Sequence, residues 1–192
     1  MSSRIPLVLV KALRCALLAA LLLGAGQAHG QTFYTTRAVL ALFFPGSQRV
    51  TYRRFELTPE VRGRLTQKLG AAPAKGEYTF YYALTGETVD GYALIDEVMG
   101  QYMPITYATK FSPRGAVQQV EIMVYRENYG SEVSDARFRK QFVGKTAADP
   151  LLLDSDIVAV SGATLSCRAL TAGLRRSLLL LQEFLLHDKA GK

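Results

Sequence analysis

The chain of 192 residues has no tryptophan, two cysteines and two histidines. Each scarcity removes a class of chemistry. There is no Cys-x-x-Cys-His for covalent haem, and no Cys/His cluster spaced for zinc or iron–sulfur. A Ser-His-Asp triad would have to use His187, which lies in a charged tail and is a poor base for work that needs rigid placement. No dinucleotide fingerprint occurs, so a self-contained nicotinamide-dependent reductase is not indicated. We identify no catalytic residue and no metal ligand set. Redox chemistry on such a chain needs a borrowed organic cofactor.

Long hydrophobic runs are equally few. The main one, Ala16 to Leu23, follows Arg4, Lys11 and Arg14 and precedes the small residues Ala28-His29-Gly30. It is shorter than the ~20 apolar residues of a membrane span. Residues 1–30 therefore read as a secretory signal cleaved before Gln31, with an uncleaved N-terminal anchor as the second choice. The expected location is periplasmic or otherwise extracytoplasmic. Cleavage would remove three cations and no acid from a chain whose net charge is +7. What remains is mildly basic and lacks the footprint of a nucleic-acid binder. It also keeps only Cys167, so it forms no internal disulfide.

What is present suits one α+β domain over residues 31–192, large enough to bury a core. Residues 31–44 mix apolar and β-prone types and fit either a helix or a strand. Thr58-Pro59-Glu60 has the cap, the first-turn proline and the acid of a helix start. Val61, Leu65 and Leu69 then repeat every four residues up to Gly70. Residues 78–84, 88–98, 105–111 and 116–126 read as strands with short connections, which makes a mainly antiparallel sheet. In the last of these, alternation puts Val120, Ile122 and Val124 on one face and Glu121, Met123 and Tyr125 on the other. Ser134 is placed to cap a short helix over 135–143, whose Arg137, Arg139 and Lys140, with Lys145, read as a solvated face. Residues 165–186 read as one long C-terminal helix. It has a stripe of Leu170, Leu174, Leu178, Leu181 and Leu185, interrupted by Arg168, Arg175, Arg176 and Glu183.

The stretch with most chemical content is Ser161-Gly162-Ala163-Thr164-Leu165-Ser166. Two small residues separate two hydroxyls at the start of that helix. Free N–H groups and the positive end of the dipole point at the same place, which suits a phosphate. The plainer alternative is that Ser161 or Thr164 only caps the helix. Cys167, one turn on, reads as an ordinary buried helix-face thiol.

Taken with Tyr125-Arg126-Glu127-Asn128-Tyr129-Gly130 and with residues 137–145, this stretch resembles the FMN-binding domain family. That family includes the G subunit of the Rnf complex, the C subunit of sodium-translocating NADH:quinone reductase and the periplasmic part of the nitrous-oxide-reduction regulator. The resemblance implies FMN carried by a phosphoester on the last hydroxyl of a [Ser/Thr]-Gly-Ala-[Ser/Thr] motif, here Thr164. Ser161, Gly162, Ala163, Leu165 and Ser166 would surround it, and Glu127 and Gly130 would approach the isoalloxazine. Glu127 reads equally well as an exposed loop carboxylate. For Tyr129, core packing is the default and flavin stacking the alternative.

The resemblance further implies maturation by a FAD:protein FMN transferase, and membrane or periplasmic redox partners. The transferase pattern carries an acid three positions before the first hydroxyl, where this chain has Val158. The function implied is that of an electron-carrier protein, not an enzyme. The alternatives are a secreted cofactor-free interaction module, with Thr164 as a helix cap, and a non-covalent FMN binder.

Overall fold

The computed structural model describes residues 31–186. The expected leader and His187 lie outside the described residues. Strands β1 (Gln31–Thr32), β2 (Arg49–Glu56), β3 (Glu77–Thr85), β4 (Thr88–Met99), β5 (Pro104–Phe111) and β6 (Val117–Tyr125) form one sheet. The order is β1-β6-β5-β4-β3-β2, and every neighbouring pair is antiparallel. Four helices pack on it: α1 (Thr36–Phe43), α2 (Pro59–Leu69), α3 (Ala136–Lys140) and α4 (Thr164–Leu181). The class is α+β with a mainly antiparallel sheet, as the short connections imply.

The ambiguous 31–44 segment divides between both readings, a two-residue strand followed by α1. Thr35 starts that helix, its hydroxyl accepting from Ala38 N. Thr58 does the same for α2 by accepting from Val61 N, and Gly70 ends α2 in the left-handed conformation. Strand β2 was not expected from the sequence. Seven of its eight residues are exposed, so no burial period marks it, and pairing with β3 alone defines it.

Helix α4 lies across the sheet and closes the larger core. Leu170, Leu174, Leu178 and Leu181 are at most 1% exposed. Fully burying each such side chain is worth ~1.5–3 kcal/mol. The helix then continues as one wider turn over Gln182–Leu186. Among the described residues no helix is long and apolar enough to cross a membrane. On the other sheet face, Ala83, Ala93 and Ala108 leave a shallow surface for Val39 and Phe43 of α1.

Asp96 of β4 and Arg176 of α4 lock helix to sheet. The Arg176 Nη2 donates to Asp96 Oδ2 at 2.6 Å and to the Glu97 carbonyl at 2.7 Å. Lys75 Nζ reaches the other Asp96 oxygen at 2.7 Å. Nearby on α4, Gly173 lets the helix approach β4 and β5 closely, because a Cβ there would lie 2.4 Å from Val98 Cγ1 and 2.8 Å from the Tyr107 oxygen. Arg176, which reads in the sequence as an interruption of the stripe, is therefore a tether.

Three expectations are corrected. Asp135, not Ser134, caps α3, accepting from Arg137 N at 2.7 Å, and the helix is shorter than expected. Arg139 and Lys145 are not a free solvated face. Arg139 pairs with Glu121 at 2.7 Å and Lys145 with Asp156 at 2.9 Å. In β6 the alternation breaks: Thr106 opposes Val124 while Tyr107 opposes Ile122, leaving Met123 as the extra residue of a bulge. Beyond it the faces exchange. Val124 joins Met123 on the α1 side, and Tyr125 joins Val120 and Ile122 on the α4 side.

Candidate functional site

The bulge matters because it sends the Tyr125 ring under the start of α4. Its hydroxyl lies 3.0 Å from Ser166 Oγ and donates to the Tyr129 carbonyl. Burial pushes the Tyr125 phenol above its ordinary value, and the Ser166 contact opposes that rise, so Tyr125 serves as a neutral donor. Gly130 fits between them. At φ +82° it takes the left-handed region, and a Cβ would lie 2.7 Å from Ser166 Oγ and 2.8 Å from the Tyr125 oxygen. The loop after β6 is thus pinned to the first turn of α4 by Tyr125, Gly130 and Ser166 together.

On the outside of this contact is a cleft of about 230 Å³. Its lining includes Tyr129, Gly130, Gly162, Ala163, Thr164, Leu165, Ser166 and Gln101. The sequence-predicted residues Gly162 to Ser166 and Gly130 therefore come together. Ser161 is exposed in the turn just before them, and Gly162 turns the chain at φ +84°. Cys167 is fully buried, with burial pushing its thiol up, and its Sγ accepts from Val160 N at 3.5 Å. This is the inert thiol expected at that position.

The capping alternative finds no support in the geometry. The N-cap position of α4 is Ala163, with no side-chain cap. Cys167 N donates back to Ala163 O at 2.8 Å, and no acceptor among the described residues serves the N–H groups of Thr164, Leu165 or Ser166. The exposed Thr164 hydroxyl likewise makes no hydrogen bond among the described residues. Three unsatisfied N–H groups and one unengaged hydroxyl share one cleft at the positive end of an 18-residue helix.

Two lining residues were not picked out as site members from the sequence. Gln101 comes from the turn between β4 and β5, some sixty positions from the motif, and only the strand pairing brings it there. Tyr129, expected by default to pack in the core, is 83% exposed at the cleft. Glu127 does not line the cleft. Its Oε1 accepts from Tyr102 N at 2.8 Å and Met103 N at 3.1 Å, so it holds the turn that presents Gln101. Gly100 leaves room for it, since a Cβ there would lie 2.4 Å from that oxygen.

The cleft suits a phosphate ester on its donor side. Its volume is below the ~300–1,000 Å³ of pockets that engulf a whole ligand. Residues 100–179 match the FMN-binding domain family. The match spans the 100–103 turn, β5, β6 and nearly all of α4, and so contains every residue lining the cleft. FMN is the cofactor this match assigns.

Among solved structures, NqrC of Shewanella oneidensis is similar in fold. The likeness covers 82% of this chain and 90% of that one, at 16% identity and a TM-score of 0.55. No curated protein matches the chain. Among the described residues no group of three or more His, Cys, Asp or Glu is placed to hold a metal ion.

Proposed function

We propose that this protein is an extracytoplasmic electron carrier holding FMN through a phosphoester on Thr164. The observation that carries this reading is the Thr164 hydroxyl. It is exposed, bonded to no described residue, and stands at the head of α4 beside three N–H groups that lack acceptors. A cap would have used that hydroxyl, whereas an attachment site leaves it available to a modifying enzyme.

In the attachment step, the Thr164 oxygen attacks the FMN-side phosphorus of FAD. The pyrophosphate bond breaks, AMP leaves and the hydroxyl proton passes to solvent. The agent is a FAD:protein FMN transferase, for which Gly162 and Ala163 leave the acceptor uncrowded. The N–H groups of Leu165 and Ser166 and the helix dipole would hold the single negative charge of such a diester without a cationic side chain. Gly130 and Tyr125 fix the loop that would bound the cofactor. Bound FMN supplies one- or two-electron transfer at its isoalloxazine, and the chain supplies anchorage and a docking surface. The reading of residues 1–30 as a secretory leader fits covalent attachment, since free FMN would diffuse away outside the cytoplasm. Redox partners in or near the membrane follow from the same reading.

The test is the intact mass of the mature protein, exported with and without a co-expressed flavin transferase. A gain of one FMN less water, dependent on the transferase and lost in Thr164→Ala, is the expected result. Absence of the added FMN mass over the polypeptide mass in all three preparations would overturn covalent attachment and leave a non-covalent FMN site.

A further inference from the structure

Tyr129 is more exposed than any other large apolar side chain among the described residues, at 83%. Its backbone is nevertheless fixed. The Tyr125 hydroxyl holds its carbonyl, and Gly130 beside it is locked against Ser166. The ring itself makes no hydrogen bond and no ring or cation contact among the described residues. An aromatic ring held out into solvent on a rigid backbone leaves apolar surface wet with no internal return. It is also the only aromatic residue among those lining the cleft.

The rest of the lining is small or polar, apart from Leu165. It suits a phosphate and a polyol chain but offers no flat face for a tricyclic ring. From this we propose that Tyr129 is the stacking surface for the isoalloxazine of FMN. The inference rests on the reading that Thr164 anchors the phosphate. The small size of the cleft favours it, because the ring system must then lie at the mouth, where Tyr129 stands. The Gln101 amide is the polar neighbour at the same mouth. It donates to the Tyr102 hydroxyl at 2.8 Å, which steadies the turn beside the ring.

A stacked tyrosine gives an electron to the photoexcited isoalloxazine and takes it back as the excitation decays, so stacking quenches flavin fluorescence. The experiment uses the flavinylated protein, with attachment verified by intact mass. It compares fluorescence yield and lifetime in the parent, Tyr129→Leu, Tyr129→Trp and Tyr52→Leu. Tyr52 is the control, an exposed tyrosine on β2 at the opposite edge of the sheet. A quenched parent, a several-fold brighter Tyr129→Leu, a Tyr129→Trp as dark as the parent and an unchanged Tyr52→Leu are expected. Equal quenching in Tyr129→Leu and parent, or a bright parent, would overturn the assignment of Tyr129 while leaving the attachment intact. Absence of the FMN mass in the parent would instead overturn the attachment reading, and this inference with it.

Discussion

The phenol oxygen of Tyr125 lies 3.0 Å from Ser166 Oγ, joining the end of β6 to the first turn of α4 across 41 positions of sequence. Gly130 occupies the gap that this contact leaves. Gly130→Ala would force a left-handed backbone on a residue with a Cβ and drive that Cβ into two oxygens. The expected cost is about 1–3 kcal/mol from the backbone alone, with loss of FMN attachment because the cleft wall moves. Tyr125→Phe, which removes only the hydroxyl, is expected to cost about 1 kcal/mol. Denaturant midpoints and the attached mass fraction check both. A Gly130→Ala variant as stable as the parent would contradict this account of the wall.

Thr164 gives the complementary case. Its hydroxyl caps nothing, so Thr164→Ala is expected to change stability by no more than ~0.5 kcal/mol while abolishing covalent FMN. Thr164→Ser keeps an acceptor oxygen and is expected to retain attachment. Thermal unfolding of the unflavinylated proteins, beside their masses after exposure to the transferase, separates the two effects. A large loss of stability in Thr164→Ala would return the residue to a structural role.

How far the sequence anticipated this site depends on where its residues come from. Residues 161–166 were legible because hydroxyls separated by glycine and alanine at a helix start carry a local meaning. Gln101 was not, because only the antiparallel pairing of β4 with β5 brings its turn to the cleft. The Tyr125 contact was hidden by the bulge at Met123. Strict alternation assigned Tyr125 to the wrong face, and a register slip is fixed by the neighbouring strand. Strand β2 escaped notice for a similar reason. Its Arg-Val-Thr-Tyr-Arg-Arg-Phe-Glu is exposed on both faces, so no burial period marks it. The long helix, with five leucines on one stripe, and the α2 segment, with its cap and terminal glycine, were local signals and were read nearly to their ends.

Val158 is 68% exposed, and its backbone N and O are both held by the Gln141 side-chain amide, at 2.8 and 3.0 Å. The side chain at this position is therefore free to change. Val158→Asp restores the acid of the transferase pattern at a cost within ~0.5 kcal/mol. The expected outcome is a larger attached fraction at a fixed transferase concentration and time. An unchanged or smaller fraction would mean that the acid is not what the transferase reads on this chain.

The approach to the motif is organised by two aspartates, and both make stability depend on pH. Thr146 N and Oγ1 donate to Asp149 at 2.8 and 2.9 Å and hold its carboxyl below the ordinary range. Burial pushes Asp156 up, but hydrogen bonds from Leu152 N at 2.7 Å and Lys145 at 2.9 Å outweigh it, and the net direction is also down. A carboxyl whose folded pKa lies below its unfolded value of about 3.9 contributes stability above that pH. The contribution fades as pH falls through the folded value. Unfolding temperature is therefore expected to be insensitive to these groups from pH 7 to 5 and to drop below about pH 4. The Asp149→Asn and Asp156→Asn variants should start lower and show a shallower acid limb. Variants with the parent's acid limb would remove these two residues from the account.

The Asp96–Arg176 pair sets the largest expected loss. Asp96 is 1% exposed, and Arg176 spends its guanidinium on that carboxylate and the Glu97 carbonyl. Asp96→Ala would leave the Arg176 charge largely buried, opposite an empty site. Breaking a buried pair on one side costs about 3–5 kcal/mol. Arg176→Met with Asp96→Leu removes both charges and is expected to recover much of that loss, because a well-packed apolar pair escapes the desolvation cost of two ions. Urea denaturation of Asp96→Leu, Arg176→Met and the double variant closes the cycle. If the double variant is no more stable than the worse single one, α4 is held to the sheet by the shape of the contact around Gly173 and not by the charge pair.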